Sequence, residues 1–178
     1  MLRRSAVVLF FLGLAMWIPI VPAHARSRVT VPAGWPKFLS IPRLRLKAPV
    51  EAVAFNRPTD YHAPYRWEDV AWYNRGPRPG DTGRATMFGH LDSYCCPAIF
   101  YHLRYLRRGD TVQVAYRTGQ LLTFQVQWVN NFWNNKLPLK YLFGTTQERG
   151  LSLITCSGTF HRDGSGYDHK LVVYARLV

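Results

Sequence analysis

One cysteine of this sequence stands in a setting suited to chemistry. The run from Leu151 to Thr155 is largely apolar and resembles a β-strand, and Cys156 follows it, before the polar residues 157–159. This pattern predicts a strand that ends at Cys156 and places the thiol at the rim of a sheet, where a nearby cation would favour the thiolate. A single cysteine on an apolar strand is more often a buried small side chain, so a catalytic interpretation needs a second group.

A histidine provides such a group. The run from Arg84 to Phe88 has the same strand-like form, and Gly89 and His90 follow it, so a second strand is predicted to end at His90. A thiol and an imidazole on two strand ends suit covalent catalysis. From residue type alone, a strand-end histidine is more often a surface or hydrogen-bonded residue. The other histidines of the predicted domain have no better claim on spacing: His62, His102, His161 and His169.

The remaining cysteines, Cys95 and Cys96, are adjacent and do not favour a metal site. Neighbouring cysteines ligate one tetrahedral zinc poorly, and the chain has no Cys-x-x-Cys pair. Glu148 is the only acid in the connection over residues 130–150, whereas calcium requires several oxygen ligands. We therefore expect no metal and no cofactor. A strained vicinal disulfide, or oxidative coupling of this pair to Cys156, remains open.

The first residues read as a targeting segment. Arg3 and Arg4 precede an apolar run from Ala6 to Ile18, and small residues follow near Ala25. We predict a signal peptide or an N-terminal membrane anchor over residues 1–25, with cleavage as the first interpretation. A linker over residues 26–37 and one catalytic domain over residues 38–178 complete the predicted organisation. The protein is expected to be exported, and to lie at the cell surface or to be membrane-anchored.

Composition and charge limit the fold class of the chain and the kinds of partner that it can bind. The 12 prolines and 13 glycines among 178 residues, with 48% hydrophobic content, are typical of a single all-β domain. The net charge is +13, and removal of Arg3 and Arg4 with the first segment lowers it by only two. The basic residues are scattered and accompany no nucleic-acid-binding motif. Anionic lipid headgroups or wall polymers are the partners that this charge favours; a solvated basic surface without a partner is the alternative.

The periodicity of the chain predicts mostly strands. Alternation from Phe38 to Val53 indicates half-buried strands, and a Thr118-Gly119 turn between two β-rich runs indicates a hairpin. Short helical segments are predicted over residues 97–106 and 137–142, and a final strand over residues 170–178.

Four segments together resemble the sortases, the thiol transpeptidases of bacterial cell surfaces. They are residues 41–50 (Ile-Pro-Arg-Leu and Ala-Pro-Val), residues 72–80, the Gly-His-Leu-Asp-Ser word at 89–93, and residues 151–156. The short chain, and the segment that follows the histidine word, are most similar to class F. The resemblance implies an all-β fold, a closed eight-stranded sortase-type β-barrel with one or two short helices.

The resemblance also implies an activity. Cys156 would attack an LPXTG-like sorting signal of a surface protein, His90 would act as acid and base, and an amine from a wall precursor or a pilin would accept the acyl group. Sortases use an arginine near the start of the last strand to stabilise the oxyanion, and this chain has Lys170 at that position. Arg162 is the alternative cation. Each of these two residues is equally well explained as a solvated strand-end charge.

Two rival functions follow from the same residues. An L,D-transpeptidase is also an exported β-rich thiol enzyme, but its cysteine normally sits in a Ser-x-Gly-Cys context, and this chain has Thr155-Cys156-Ser157. A non-catalytic basic barrel that binds the cell wall would need neither Cys156 nor His90.

Overall fold

The computed structural model describes Thr30, residues 32–56 and residues 64–178. The strands in these residues are β1 (Pro36–Ile41), β2 (Leu46–Val53), β3 (Val70–Tyr73), β4 (Gly83–Phe88), β5 (Thr111–Tyr116), β6 (Leu121–Trp133), β7 (Arg149–His161) and β8 (Gly166–Leu177). They close into a barrel in the order β1-β2-β3-β4-β7-β8-β6-β5, in which β5 pairs with β1. The predicted all-β, closed eight-stranded barrel is confirmed.

Helical structure in the described residues is short. It consists of one α-helix, α1 (Leu139–Phe143), and 3-10 turns at Pro42–Leu44, Leu103–Tyr105 and Asn134–Lys136. The predicted hairpin is confirmed, since β5 and β6 pair antiparallel across a turn in which Gly119 has a φ of 86°. None of the helices in the described residues is long and apolar enough to cross a membrane.

The continuous apolar run of β7 is explained by burial on both faces of the sheet. Leu151 and Leu153 belong to the main core, whereas Ile154 packs with Phe88 and Leu142 in a second cluster on the opposite face. Leu142 lies in α1, so this helix covers the outer face of the parallel β4–β7 pair. Parallel strands that are covered on both faces have near-continuous hydrophobic sequences.

The prediction that the strand ends at Cys156 is wrong. β7 continues to His161 because β8 runs beside it, pairing Phe160 with Tyr167 and His161 with Gly166. The register shifts between Ser157 and Phe160, and Gly158 within this interval has a φ of 82°. Gly158 therefore belongs to an irregularity inside a long strand and not to a turn that ends it.

Two further boundaries differ from the predictions. β4 ends at Phe88, two residues before His90, so the histidine lies just beyond the strand. The segment 97–106 forms only one 3-10 turn, and its residues Phe100, Leu103 and Leu106 are all buried. A spacing of three residues suits 3-10 geometry, in which side chains at i and i+3 eclipse.

The N-terminal predictions fall largely outside the described residues. The expected signal peptide or anchor (1–25) lies there entirely, as do residues 26–29 and 31 of the expected linker (26–37). β1 begins at Pro36, two residues before the expected start of the domain at Phe38. The domain boundaries otherwise remain a prediction.

Candidate active site

The parallel pairing of β4 and β7 brings His90 and Cys156 to the same end of the barrel. Phe88 pairs with Ile154, so the next residues of both strands emerge side by side. The Gly89 amide donates a hydrogen bond to the Ile154 carbonyl (3.2 Å), and the buried Thr155 hydroxyl donates one to the Gly89 carbonyl (2.8 Å). These two bonds fix the chain immediately before each of the predicted catalytic residues.

Close packing explains the glycine before His90. A Cβ atom at position 89 would lie 2.5 Å from the Phe100 ring and 2.9 Å from Ile99. The Phe100 amide also donates a hydrogen bond to the His90 carbonyl (2.9 Å). The segment after the histidine therefore folds back over Gly89 and holds the His90 backbone in place.

Cys156 is half-buried and faces a cation across the sheet. Cys156 and Lys170 are direct partners in the antiparallel β7–β8 pair, and the Lys170 Nζ donates a hydrogen bond to the Cys156 Sγ at 3.0 Å. An ammonium at this distance stabilises negative charge on the sulfur or on an oxygen bound nearby. Arg162, the alternative cation, lies in the exposed turn between β7 and β8, and its contacts among the described residues include none to Cys156.

The imidazole of His90 is held by one hydrogen bond and one ring contact. Its Nε2 lies 2.9 Å from the Pro64 carbonyl oxygen, and its ring centroid lies 4.2 Å from that of Trp67. A carbonyl oxygen accepts only, so Nε2 carries a proton in this arrangement. In a neutral ring, Nδ1 is then the nitrogen without a proton.

Three cavities meet at Cys156 in the described part of the chain. The first, named here the aromatic cavity, has a volume of about 480 Å³ and is lined by Trp67, His90, Asp92, Tyr94, Cys156, Phe160 and Tyr167, among others. A smaller cavity of about 230 Å³ lies between His90, Cys156 and Lys170. The third, of about 490 Å³, extends from Cys156 toward Leu139 of α1. A substrate can therefore approach the thiol from more than one side.

The structure adds residues that sequence reasoning missed. Asp92 accepts a short hydrogen bond from the Tyr167 hydroxyl, and this bond raises the pKa of Tyr167 to about 12. Asp92 lies in the histidine word, two residues after His90, so its position in that word was the available signal. Tyr167 lies 75 residues further along the chain, and its proximity follows only from the β7–β8 hairpin.

A second acidic residue braces the irregular part of the β7–β8 pair. Asp168 accepts a hydrogen bond from the Thr159 amide (2.8 Å) and contacts the His169 Nδ1 (2.6 Å). The hydrogen bond with His169 lowers the pKa of Asp168 to about 2. Gly158 passes close to this carboxylate, because a Cβ atom there would overlap Asp168.

Cys95, Cys96 and Cys156 are free thiols. Cys95 and Cys96 are exposed in a tight turn that Asp92 and Pro97 close, where the Ser93 amide donates to the Cys96 carbonyl (2.8 Å). Oxidative coupling of the pair to Cys156 stays a prediction. The described residues contain no cluster of three or more potential metal ligands.

The barrel is similar to proteins of known structure. The family model for the Sortase domain matches residues 39–178, whereas no curated protein matches the chain significantly. Sortase A from Corynebacterium diphtheriae superposes with a TM-score of 0.63 at 19% identity, over 82% of this chain and 61% of that one. Sortase C-1 from Actinomyces oris gives 0.61 at 20% identity, over 79% of this chain and 72% of that one.

A third solved structure, sortase C1 from Streptococcus agalactiae, has a TM-score of 0.60 and 20% identity, over 80% of this chain and 66% of that one. The chain thus spans about three fifths of the Corynebacterium protein's length. At these identities the superpositions describe a shared barrel, and the family model covers His90 and the strands that carry Cys156 and Lys170.

Proposed function

The chain belongs to the sortase family, and we propose that it is a cysteine transpeptidase that cleaves an LPXTG-like sorting signal and joins the acyl fragment to an amine. The observation that carries this proposal is the position of Cys156, which shares cavities with His90 and lies 3.0 Å from the Lys170 ammonium. A nucleophile, an acid–base group and a cation on three different elements are what acyl transfer requires.

In the acylation step the Cys156 sulfur attacks the carbonyl carbon of the Thr–Gly bond. Negative charge then moves from sulfur to the carbonyl oxygen, and Lys170 with backbone amides stabilises this oxyanion. The C–N bond breaks, His90 gives a proton to the leaving amine, and a thioester on Cys156 remains. The lysine chain is flexible, so its ammonium can follow the charge from sulfur to oxygen.

In the second step the nitrogen of an incoming amine attacks the thioester carbon. His90, now neutral, takes a proton from that nitrogen, and the C–S bond breaks to release Cys156. Water in place of the amine gives hydrolysis. No metal or redox cofactor enters either step.

Partners and location follow from the same assignment. The acyl donor is a surface protein with a sorting signal, and the acceptor is an amine of a wall precursor or a pilin. The domain works outside the cytoplasm, and residues 1–25 serve as its signal peptide or its membrane anchor. Its net charge of +13 favours contact with anionic lipid headgroups or wall polymers. The sequence motifs support membership of the class F sortases.

Incubation with a library of LPXTG-like peptides and a primary amine tests this function. We expect release of the C-terminal fragment and ligation of the remainder to the amine, and loss of both products in Cys156→Ala. Cys95→Ala is the matched control, since it removes an exposed thiol outside the cavities that meet at Cys156. If the wild-type protein forms neither product, and if wild type and Cys156→Ala bind wall material equally well, the protein is a binding module instead.

A further inference from the structure

The aromatic cavity carries a feature that general acyl transfer does not require. Two pairs of rings line it: Trp67 with Tyr94, at a centroid distance of 5.7 Å, and Phe160 with Tyr167, at 5.2 Å. Trp67, Tyr94 and Phe160 are 38%, 100% and 57% exposed. Exposed large apolar side chains that cluster beside a cavity mark a binding surface.

One carboxylate lines this cavity together with the two ring pairs. Among the described residues that line the three cavities at Cys156, Asp92 alone carries a carboxylate. Its Oδ2 accepts the hydrogen bond from Tyr167, while its Oδ1 accepts none from the described part of the chain. Within the described residues, Asp92 therefore keeps one carboxylate oxygen without a hydrogen-bond donor, and Asp92 lines the cavity that also contains His90 and Cys156.

Aromatic faces with a carboxylate are the groups that bind an organic ammonium ion. The rings attract the cation through their quadrupoles, and the carboxylate adds a charge-assisted hydrogen bond. The rest of the protein opposes such binding, because a net charge of +13 repels cations at long range. A local negative site is thus needed if a cationic acceptor is to reach the thioester.

We propose that the aromatic cavity is the acceptor-amine site, and that Asp92 selects acceptors that arrive as ammonium ions. This inference rests on the proposed transpeptidase function. Asp92 binds one N–H of the ammonium, and His90 removes another proton. The neutral nitrogen then attacks the thioester carbon, and as the C–S bond breaks the departing Cys156 sulfur takes the second proton from that nitrogen and leaves as a thiol. The amine keeps its hydrogen bond to Asp92 during the attack. Tyr167 orients the carboxylate through its hydroxyl.

The test starts from the acyl-enzyme and compares two acceptors of similar size. Methylamine is cationic at neutral pH, whereas hydroxylamine is largely uncharged. In Asp92→Asn we expect the second-order rate constant for methylamine to fall about tenfold relative to wild type, as for loss of one charged hydrogen bond. The rate constant for hydroxylamine should fall far less. Asp92→Glu should restore most of the preference for methylamine.

A matched control removes the same charge elsewhere. Asp110 immediately precedes β5, whose first residue pairs with Gln125, and Gln125 in turn pairs with Arg176 of β8. Arg176 lies about 20 Å along β8 from Lys170, so Asp110 is far from the cavities at Cys156. Asp110→Asn should leave the ratio of the two rate constants unchanged. Equal losses for both acceptors in Asp92→Asn, or a loss confined to peptide acylation, would overturn the proposal. Failure of the wild-type protein to form any acyl-enzyme would instead contradict the proposed function itself.

Discussion

The Lys170 ammonium lies 3.0 Å from the Cys156 sulfur, directly across the antiparallel β7–β8 pair. Strand register alone fixes this contact, because Cys156 and Lys170 are paired residues on the same face of the sheet. The sortases that the sequence resembles use arginine at this position. A lysine supplies one mobile point charge in place of a planar two-pronged donor.

Substitution of Lys170 should affect acylation. We expect Lys170→Ala to slow single-turnover thioester formation by roughly a hundredfold or more, the scale for loss of one oxyanion donor. Lys170→Arg should be tolerated or should improve the rate. Arg162→Ala is the control for loss of a nearby positive charge and should change the rate little. A larger loss in Arg162→Ala than in Lys170→Ala would transfer the role to Arg162.

Removal of the imidazole should slow the same step. His90→Ala is expected to lower the acylation rate by about a hundred- to ten-thousandfold, because the leaving amine loses its proton donor. His102→Ala removes an exposed imidazole from the segment beyond the cavity and should have little effect. Similar rates for the two variants would exclude His90 as the acid.

The hydroxyl of Thr155 should contribute to both stability and activity. Thr155→Val keeps the shape but removes the buried hydrogen bond to the Gly89 carbonyl, at a cost of about 1–3 kcal/mol in the free energy of unfolding. Thr155→Ser keeps the hydroxyl and should lose less activity. Denaturant unfolding and single-turnover acylation measure the two effects. If valine matched threonine in both, the bond would not help to position His90.

Asp168 gives a pH dependence with a defined sign. Its pKa falls from 3.8 to about 2 on folding, so its carboxylate stabilises the folded state above pH 3.8, and this contribution is lost as the pH falls toward 2. Asp168→Asn should therefore have a lower Tm than wild type at neutral pH, and the difference should shrink below pH 3.8. Thermal melts of both proteins across this range measure it. A difference that is independent of pH would contradict the assigned hydrogen bond.

Local patterns in the sequence predicted most of the barrel strands but not their ends, and they did not predict β3 (Val70–Tyr73). The run from Leu151 to Thr155 reads as a strand because each residue is buried on one face or the other. The continuation of β7 to His161 depends on β8, which lies later in the chain and supplies the pairing partners. Strand ends are set by such pairing, which no local window contains.

The candidate site divides in the same way. Short sequence motifs contain His90, Cys156 and Lys170, and these motifs can be recognised without the structure. The Asp92–Tyr167 bond joins residues 75 positions apart, and the ring walls of the aromatic cavity come from separate loops and strands. These contacts depend on the β7–β8 hairpin, which brings Tyr167 next to Asp92 in the segment that follows His90.

The central claim is that Cys156 forms the covalent intermediate. Intact-mass measurement after brief exposure to the preferred LPXTG-like peptide, followed by proteolytic mapping of the adduct, tests it most directly. We predict one acyl group attached to the fragment that contains Cys156, retained in Cys95→Ala and Cys96→Ala and absent in Cys156→Ala. An adduct on another residue, or turnover of the peptide by Cys156→Ala, would contradict the account.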